Sequence, residues 1–280
     1  MSQPGSNARP DLPLAVIVGA GGMGMAVARR LGQDHRLLIA DFDQEHLRME
    51  VDRLTTDGYD ASGIRVDVTR IEDIEALARA AEDAGPVKVL ANVVGLSVAA
   101  GSFDAIISVN LIGAAAIAGA FQRFMASGGC GLFISSSAAH MRDVPDPLWP
   151  LLDNPLREGF LAGLRDALGE KANAPEAYSL SKAALNRMCQ RRAAEWGRRG
   201  LRILSLSPGF IATPMGAEAY KHSQAKRDMF DAIPLQREGT MLEIANVVEF
   251  LVSDRASFLS GTDILVDGGM IGALRFPPDA

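Results

Sequence analysis

The sequence predicts a doubly wound α/β domain built on a parallel sheet, and three observations carry that expectation. Short apolar runs alternate with amphipathic helical stretches along almost the whole chain, the pattern that places helices on both faces of a parallel sheet. The first run, Leu14 to Val18, breaks into a glycine-rich turn, Gly19-Ala20-Gly21-Gly22-Met23-Gly24, and a helical stretch follows it. The second run, Arg36 to Ala40, ends in an acid, Asp41. In sheets of this kind ligands bind at the carboxyl ends of the strands, where the strand order reverses.

Taken in order, each element has a reason. Gly19, Gly21 and Gly24 match G-x-G-x-x-G between a strand and a helix, so the backbone N–H groups from Gly19 to Gly24, with Gly22 and Met23 among them, are expected to approach a pyrophosphate at the helix N-terminus. A tight structural turn is the plainer alternative for the hexapeptide alone. Asp41 stands where an acid takes both ribose hydroxyls of an adenosine. It would repel a 2′-phosphate, and no Arg or Lys occurs in the turn or directly after Asp41, which favours NAD over NADP. Gly63 to Val68 reads as a third strand ending in Asp67-Val68, Ile71 to Ala84 as an amphipathic helix, and Val87 to Val94 as a buried strand ending at Gly95. Asp67 suits either an adenine amino group or a helix N-cap.

Phe103 to Phe121 reads as a long buried helix with one amide, Asn110, in its middle. A buried amide must find partners, so Asn110 either ties the helix to a strand or holds a water in the site. Gly131 to Ile134 is the fifth strand and ends in Ser135-Ser136-Ser137. The alternation then stops. Pro145, Pro147, Pro150 and Pro155 precede Leu156, Phe160, Leu161, Leu164 and Leu168 at helical spacing, which predicts a helical insertion over residues 141–177. A helix to about Arg199, a strand from Arg202 to Ser207 closed by Pro208-Gly209, a charged stretch over 214–232, a helix from Thr240 to Ser253 and a last strand from Asp263 to Val266 complete the domain.

Composition narrows the function classes. With 48% hydrophobic and 22% charged residues the chain is ordinary for a soluble globular protein. The net charge is −6, and the pairs Arg191-Arg192 and Arg198-Arg199 read as a solvated helix face, so no nucleic-acid partner is expected. The longest near-candidate for a membrane span, Leu111 to Phe121, is too short and reads as a buried helix. Residues 1–13 carry Pro4, Gly5, Pro10 and Pro13 without an apolar signal core, which reads as a loose tail. Two cysteines make no disulfide framework and point to a reducing cytoplasm, and the four histidines show no metal-ligand spacing. Neither a repeat nor a linker divides residues 14–280, so one domain is expected.

The chemistry centres on Tyr178-Ser179-Leu180-Ser181-Lys182. Residues four apart share a helix face. A phenol titrates near pH ~10 in water. An ammonium one turn away is expected to lower that value and make the tyrosine a usable acid or base. A solvated helix face is the plainer reading of the spacing alone.

Read together, the Gly-rich turn, Asp41, Asp67-Val68, Asn92-Val93-Val94-Gly95, Asn110, Ser135-Ser136, Tyr178 with Lys182, Pro208-Gly209 with Thr213, and Asp267-Gly268-Gly269 resemble, in order, the motifs of the short-chain dehydrogenase/reductase family over roughly residues 14 to 270. The 42-residue separation of Ser136 and Tyr178, with Asn154-Pro155-Leu156 in the interval, looks like the bacterial 3α-hydroxysteroid dehydrogenase/carbonyl reductase branch. The resemblance implies a Rossmann-like sheet and NAD as cofactor, with Tyr178 as acid and base and Ser136 on the substrate oxygen. It also implies that Lys182 lowers the Tyr178 pKa and holds the nicotinamide ribose, and that Asn110 holds a water. Val94 and Gly95 would border the adenosine. Pro208, Gly209, Ile211 and Thr213 would border the nicotinamide. It implies a small alcohol or ketone substrate, a homodimer or homotetramer, and an insertion at the dimer contact or substrate mouth.

Four departures are visible: Val18 for the usual threonine, a glycine turn one residue short, Leu204 for a common asparagine, and Asn92-Val93-Val94-Gly95 for N-N-A-G. Strand counting from Ile134 favours Ser136 as the catalytic serine over Ser137. The Leu/Phe/Trp-rich insertion (Leu148, Trp149, Leu151, Leu152, Phe160) fits a bulky apolar substrate, or else the packing of a dimer. An enoyl reductase would separate tyrosine and lysine by about two turns, against one here. A non-catalytic NAD-binding sensor or scaffold is the alternative from another class.

Overall fold

Leu14–Val18 (β1) is buried at every residue because it lies in the middle of the sheet. It pairs in parallel with β2 (Arg36–Asp41) on one side and β4 (Val87–Asn92) on the other. A strand covered on both faces reads as a continuous apolar run rather than an alternation. The computed structural model describes residues 9–141, 143–212 and 224–277. In it β3 (Ala61–Arg65), β5 (Met125–Ile134), β6 (Arg202–Pro208) and β7 (Asp263–Val266) complete a seven-stranded sheet of order β3-β2-β1-β4-β5-β6-β7. The order reverses between β1 and β4, so the connections leaving those strands part there and open a crevice.

Alternate residues of β1 feed two cores. Leu14, Val16 and Val18 pack with α3 (Ile71–Ala84), α5 (Ala114–Phe121) and α8 (Ala174–Gly197) through Leu77, Ile117, Phe121, Leu185 and Trp196. Ala15 and Ile17 face α1 (Gly22–Leu31), α2 (Gln44–Thr56) and the helix Met241–Val252 through Val27, Leu31, Leu47, Leu54, Ile244 and Val248. Local chemistry sets the helix starts. Asp43 accepts the N–H groups of Glu45 and His46 at the head of α2, Asn173 accepts that of Glu176 at the head of α8, and Thr240 with Glu243 forms a capping box.

Several expectations are corrected. β3 lies over Ala61–Arg65, ahead of the expected Gly63–Val68, because it is an edge strand with little to bury. β5 begins at Met125. Of the expected loose tail, residues 1–8 lie outside the described residues. From Arg9 the chain is tied down: Arg9 N–H donates to Asp60 and Arg36 donates to the Leu12 carbonyl. The helix Phe103–Phe121 has the expected bounds, and by length and composition this whole helix, rather than the short stretch Leu111 to Phe121, could cross a membrane. Its most apolar stretch is 67% buried inside the fold, which marks a core helix. It also changes pitch. Ser108–Gly113 forms a π turn between α4 (Phe103–Ile107) and α5, a feature frequent at functional sites.

The expected insertion is helical. It comprises a 3₁₀ turn at Asp146–Leu148, α6 (Trp149–Leu152), α7 (Phe160–Leu168) and a 3₁₀ turn at Gly169–Lys171; α8 starts at Ala174, inside the expected 141–177 span. Leu148, Leu152, Phe160 and Leu164 are buried against Phe103, Ile106, Ile107 and Leu111 and against Leu180 and Ala184 of α8. Much of the apolar surface read as a substrate mouth or dimer contact is therefore spent inside the chain. Asp153 holds the insertion to α8, accepting from both ends of the Arg187 guanidinium at 2.8 and 3.2 Å and pairing with Arg191 at 3.4 Å, while Arg187 stacks on Trp149. Arg191 and Arg192 thus do not form a simple solvated face: Arg191 pairs with the insertion, and burial lowers the Arg192 pKa.

At the other end of β6, buried Arg202 donates to the carbonyls of Leu251, Val252, Ser253 and Leu259. A guanidinium has five N–H donors and suits the bare carbonyls at a helix C-terminus. Arg202→Ala is expected to lower the unfolding free energy by about 3 kcal/mol, because buried carbonyls lose their donor. Urea denaturation of the two proteins checks this.

Candidate active site

The carboxyl ends of β1, β4 and β5 bring most of the expected residues together. Gly19 sits at φ +109, and a Cβ there would lie 2.9 Å from the Val94 nitrogen. A Cβ on Gly24 would lie 1.8 Å from the Gly19 carbonyl oxygen. Both glycines are therefore demanded by the turn itself. Gly21, the N-cap of α1, differs: a Cβ there would meet nothing within 4 Å. The open side of the turn thus leads to a helix N-terminus whose first N–H groups need an acceptor, which suits a phosphate. Gly22 packs under the Met241 thioether. Beside the turn, Asn92 pairs in register with Val18, and its buried Oδ1 has no partner among the described residues. The residues present fit a dinucleotide.

Asp41 ends β2, as expected, but its carboxylate is already engaged. Oδ2 accepts from the Ala20 N–H at 2.6 Å and Oδ1 from the Asp43 N–H at 2.9 Å. Each oxygen keeps capacity for a further donor such as a ribose hydroxyl. Next to it Phe42 is exposed, with the Arg65 guanidinium 5.0 Å from its ring centre. Arg65 also pairs with Asp73 at 3.4 Å. A cation this close to Asp41 was not visible from spacing, because it comes from the neighbouring strand.

Asp67 is not a helix N-cap. It closes a turn on Thr69, whose N–H and hydroxyl donate to Oδ1, and α3 starts at Ile71. Burial pushes its carboxyl up, but the Thr69 bonds with Arg65 and Arg70 hold it below the usual value. Val68 is buried beside it, where its carbonyl would be 2.7 Å from a Cβ on Gly113.

Asn110 lies in the π turn. Its Oδ1 accepts from the Leu96 N–H at 2.7 Å, and its Nδ2 donates to the Leu96 carbonyl at 3.0 Å. These two bonds tie the helix to the segment after β4. Gly95 is exposed, but one side of it faces this arrangement: a Cβ on it would lie 3.3 Å from both Asn110 Oδ1 and Lys182 Nζ.

The three serines after β5 have three fates. Ser135 donates to the Lys182 carbonyl at 3.0 Å, and Ser137 is buried. Ser136 caps the short turn Ser137–His140, accepts the Ala138 N–H at 3.2 Å, and has its hydroxyl near enough to the Tyr178 phenol to lower its pKa. That turn is anchored to β6 and β7: His140 Nε2 pairs with Asp263 at 2.7 Å, and Asp263 accepts from Ser205 at 2.7 Å.

Lys182 is buried, and its Nζ donates to the Ile134 carbonyl at 3.0 Å while lying 5.9 Å from the Tyr178 ring centre. Burial lowers its pKa to about 8. Tyr178 behaves otherwise than the sequence implied. Burial raises its pKa, and the opposing influence is the Ser136 hydroxyl rather than Lys182. The ammonium is turned toward a backbone carbonyl, and desolvation penalises both charged forms.

Pro208 ends β6 and Gly209 follows it, where a Cβ on Gly209 would lie 2.6 Å from the Asp267 Cα. Ile211 bridges to Gly239. Thr213 lies outside the described residues.

A doubly wound sheet with a Gly-rich turn at its switch point, and a Ser–Tyr–Lys group on the next strand end and helix, defines a class of nicotinamide-dependent oxidoreductases. Residues 13–145 match the family described as short chain dehydrogenase, and residues 166–271 the one described as Enoyl-(Acyl carrier protein) reductase. The chain is 33% identical over 265 residues to the short-chain dehydrogenase/reductase bsc3 of Alternaria brassicicola, which covers 92% of this chain and 96% of that protein. It is 29% identical over 260 residues to 3beta-hydroxysteroid dehydrogenase 1 of Eggerthella lenta, covering 89% of each. A solved putative short-chain alcohol dehydrogenase from Sinorhizobium meliloti 1021 superposes with TM-score 0.75 at 25% identity, covering 93% of this chain and 96% of that one. An actinorhodin polyketide ketoreductase solved with NADPH gives 0.74 at 24% identity, covering 94% and 98%, and shares the fold. The chain belongs to the short-chain dehydrogenase/reductase family, and it is an oxidoreductase of that family.

Proposed function

We propose that the protein is an NAD(H)-dependent oxidoreductase interconverting a secondary alcohol and a ketone, with Tyr178 as acid and base. The observation that carries this reading is the grouping of Ser136, whose hydroxyl acts on the Tyr178 phenol against the rise that burial imposes, with Tyr178 and, one helical turn on, buried Lys182. A neighbouring hydroxyl can donate its hydrogen to the phenolate form, which is how Ser136 opposes the rise that burial imposes on Tyr178. The same hydrogen can turn to a substrate oxygen as charge develops on it.

A bound nicotinamide would supply or take the hydride. Tyr178, kept protonated by burial, is in the form that gives a proton to a carbonyl oxygen. Lys182 would hold the nicotinamide ribose, and Asn110, through Leu96, fixes the wall beside it. The Gly19–Gly24 turn and Asp41 would hold the adenosine half.

Asp41 supports NAD over NADP, since a carboxylate repels a 2′-phosphate. Arg65 is the opposing charge, but it is shared with Asp73 and stacked on Phe42. A bulky apolar substrate of steroid or alicyclic type is supported by half-buried Leu96, Val144, Trp149 and Leu151, which flank the same cluster as Tyr178. The steroid dehydrogenase among the relatives adds to it. We place the enzyme in the cytoplasm, which the two buried free cysteines suit, and as a homo-oligomer, with Leu274 and Phe276 exposed at the C-terminal helix.

The test is cofactor consumption with ketones from small aliphatic to steroidal. NADH is expected to exceed NADPH by about 10-fold or more in kcat/KM, the equivalent of one well-placed charge interaction. A preference for NADPH would overturn the cofactor reading. Tight NADH binding without turnover on any ketone or alcohol would favour the sensor or scaffold.

A further inference from the structure

We propose that His46 is a positioning residue for the dinucleotide turn, acting by closing a ring of four hydrogen bonds through Ala20, Asp41 and Asp43. The Ala20 N–H donates to Asp41 Oδ2 at 2.6 Å. The other oxygen of Asp41 accepts the Asp43 N–H at 2.9 Å. Asp43 in turn accepts the His46 N–H at 3.0 Å, as the cap of α2. The ring closes where His46 Nε2 meets the Ala20 carbonyl at 3.0 Å. A carbonyl only accepts, so Nε2 carries the hydrogen.

The need for such an anchor follows from the turn's composition. Of Gly19 to Gly24 only Ala20 and Met23 carry side chains, so the segment has little with which to fix its own backbone, and glycine adds conformational freedom. Both polar groups at Ala20 are taken from outside the turn, the N–H by Asp41 and the C=O by His46, and Ala20 itself is fully buried. The ring sets two things at once: the course of the turn next to the open face at Gly21, and the rotation of the Asp41 carboxylate that faces the ribose position. His46 lies five residues past Asp41 on α2 and has no place in the family motifs set out above. The contact survives protonation of the ring, since both the imidazolium and this neutral tautomer keep a hydrogen on Nε2.

The proposal rests on the dinucleotide reading, and the experiment separates the two. NADH binding to the full-length protein is measured by nucleotide fluorescence for wild type, His46→Leu and His46→Gln, with thermal melting and kcat at saturating NADH alongside. His46→Leu is expected to weaken NADH about 10-fold, the effect of one lost hydrogen bond at a preorganised site, with kcat within about 2-fold of wild type. His46→Gln, whose amide N–H reaches a similar point, is expected to recover most of the affinity. ADP-ribose should lose the same factor as NADH, because the ring faces the adenosine half. Equal NADH binding by wild type and His46→Leu would overturn the proposal, as would a glutamine variant as weak as the leucine one. A fall in melting temperature and kcat together would mark a merely structural residue and overturn it too. A wild type that binds neither NADH nor NADPH would bring down the dinucleotide reading, and the proposal with it, at the first measurement.

Discussion

Tyr178→Phe is expected to lower kcat for ketone reduction by about 10²- to 10⁴-fold, the range that a positioned general acid contributes. The substitution removes one oxygen from a half-buried side chain and keeps its volume, so the packing of α8 against the insertion should persist. NADH affinity should change little, because the Gly19–Gly24 turn and Asp41 lie on other strands. The loss should therefore fall on kcat and kcat/KM alike, the signature of an interaction made in the transition state. Ser136 keeps the bond it accepts from the Ala138 N–H, and its hydroxyl remains free to donate to the substrate. Steady-state kinetics with a saturating ketone checks the result. Undiminished turnover would end the assignment of Tyr178 as the proton donor.

The sequence made the central elements legible and left unread those decided by what they touch. β1, α3 and β7 lie where the residue pattern placed them, because a central strand or an amphipathic helix writes its burial into its periodicity. β3 is Ala-Ser-Gly-Ile-Arg at a sheet edge, with too little apolar content to mark its ends. The π turn at Asn110 has no sequence marker, since one residue's change of pitch leaves the apolar pattern almost intact. Spacing put Tyr178 and Lys182 on one helix face, but the direction of the Tyr178 shift depends on burial and on where the ammonium points, and spacing carries neither. The insertion shows the same limit. Its Leu and Phe residues announced an apolar face, and only the fold shows that α4 and α8 cover most of it. His46 was unreadable for a different reason: its ring is bonded to a backbone carbonyl, which every residue possesses.

Lys182→Met is expected to raise stability at neutral pH while abolishing turnover, and the pH dependence identifies the cause. Burial holds the Lys182 pKa at about 8, against 10.5 for the ordinary side chain. Below about pH 8 the folded protein therefore carries an ammonium in a site that disfavours it, at a cost of about 3 kcal/mol. Between about pH 8 and 10.5 the unfolded chain holds a proton there that the folded chain has released, so stability rises with pH across that window. From about pH 10 Tyr178 adds a contribution of the opposite sign. Its pKa is raised on folding, so the unfolded chain loses that proton first and stability falls as pH climbs. Methionine cannot titrate, and it gives up only the bond to the Ile134 carbonyl, about 1 kcal/mol. The difference between wild type and variant should thus favour the variant by roughly 2 kcal/mol at pH 7 and shrink to nothing or reverse by pH 10.5. Urea titrations of both proteins at pH 7, 9 and 10.5, without cofactor, read that difference directly. A variant less stable than wild type by the same amount at all three values would mean that Lys182 is comfortably solvated in the fold. A buried lysine kept at such a cost is what a catalytic position looks like in stability measurements, and here the cost has a named origin in the desolvation of a single ammonium.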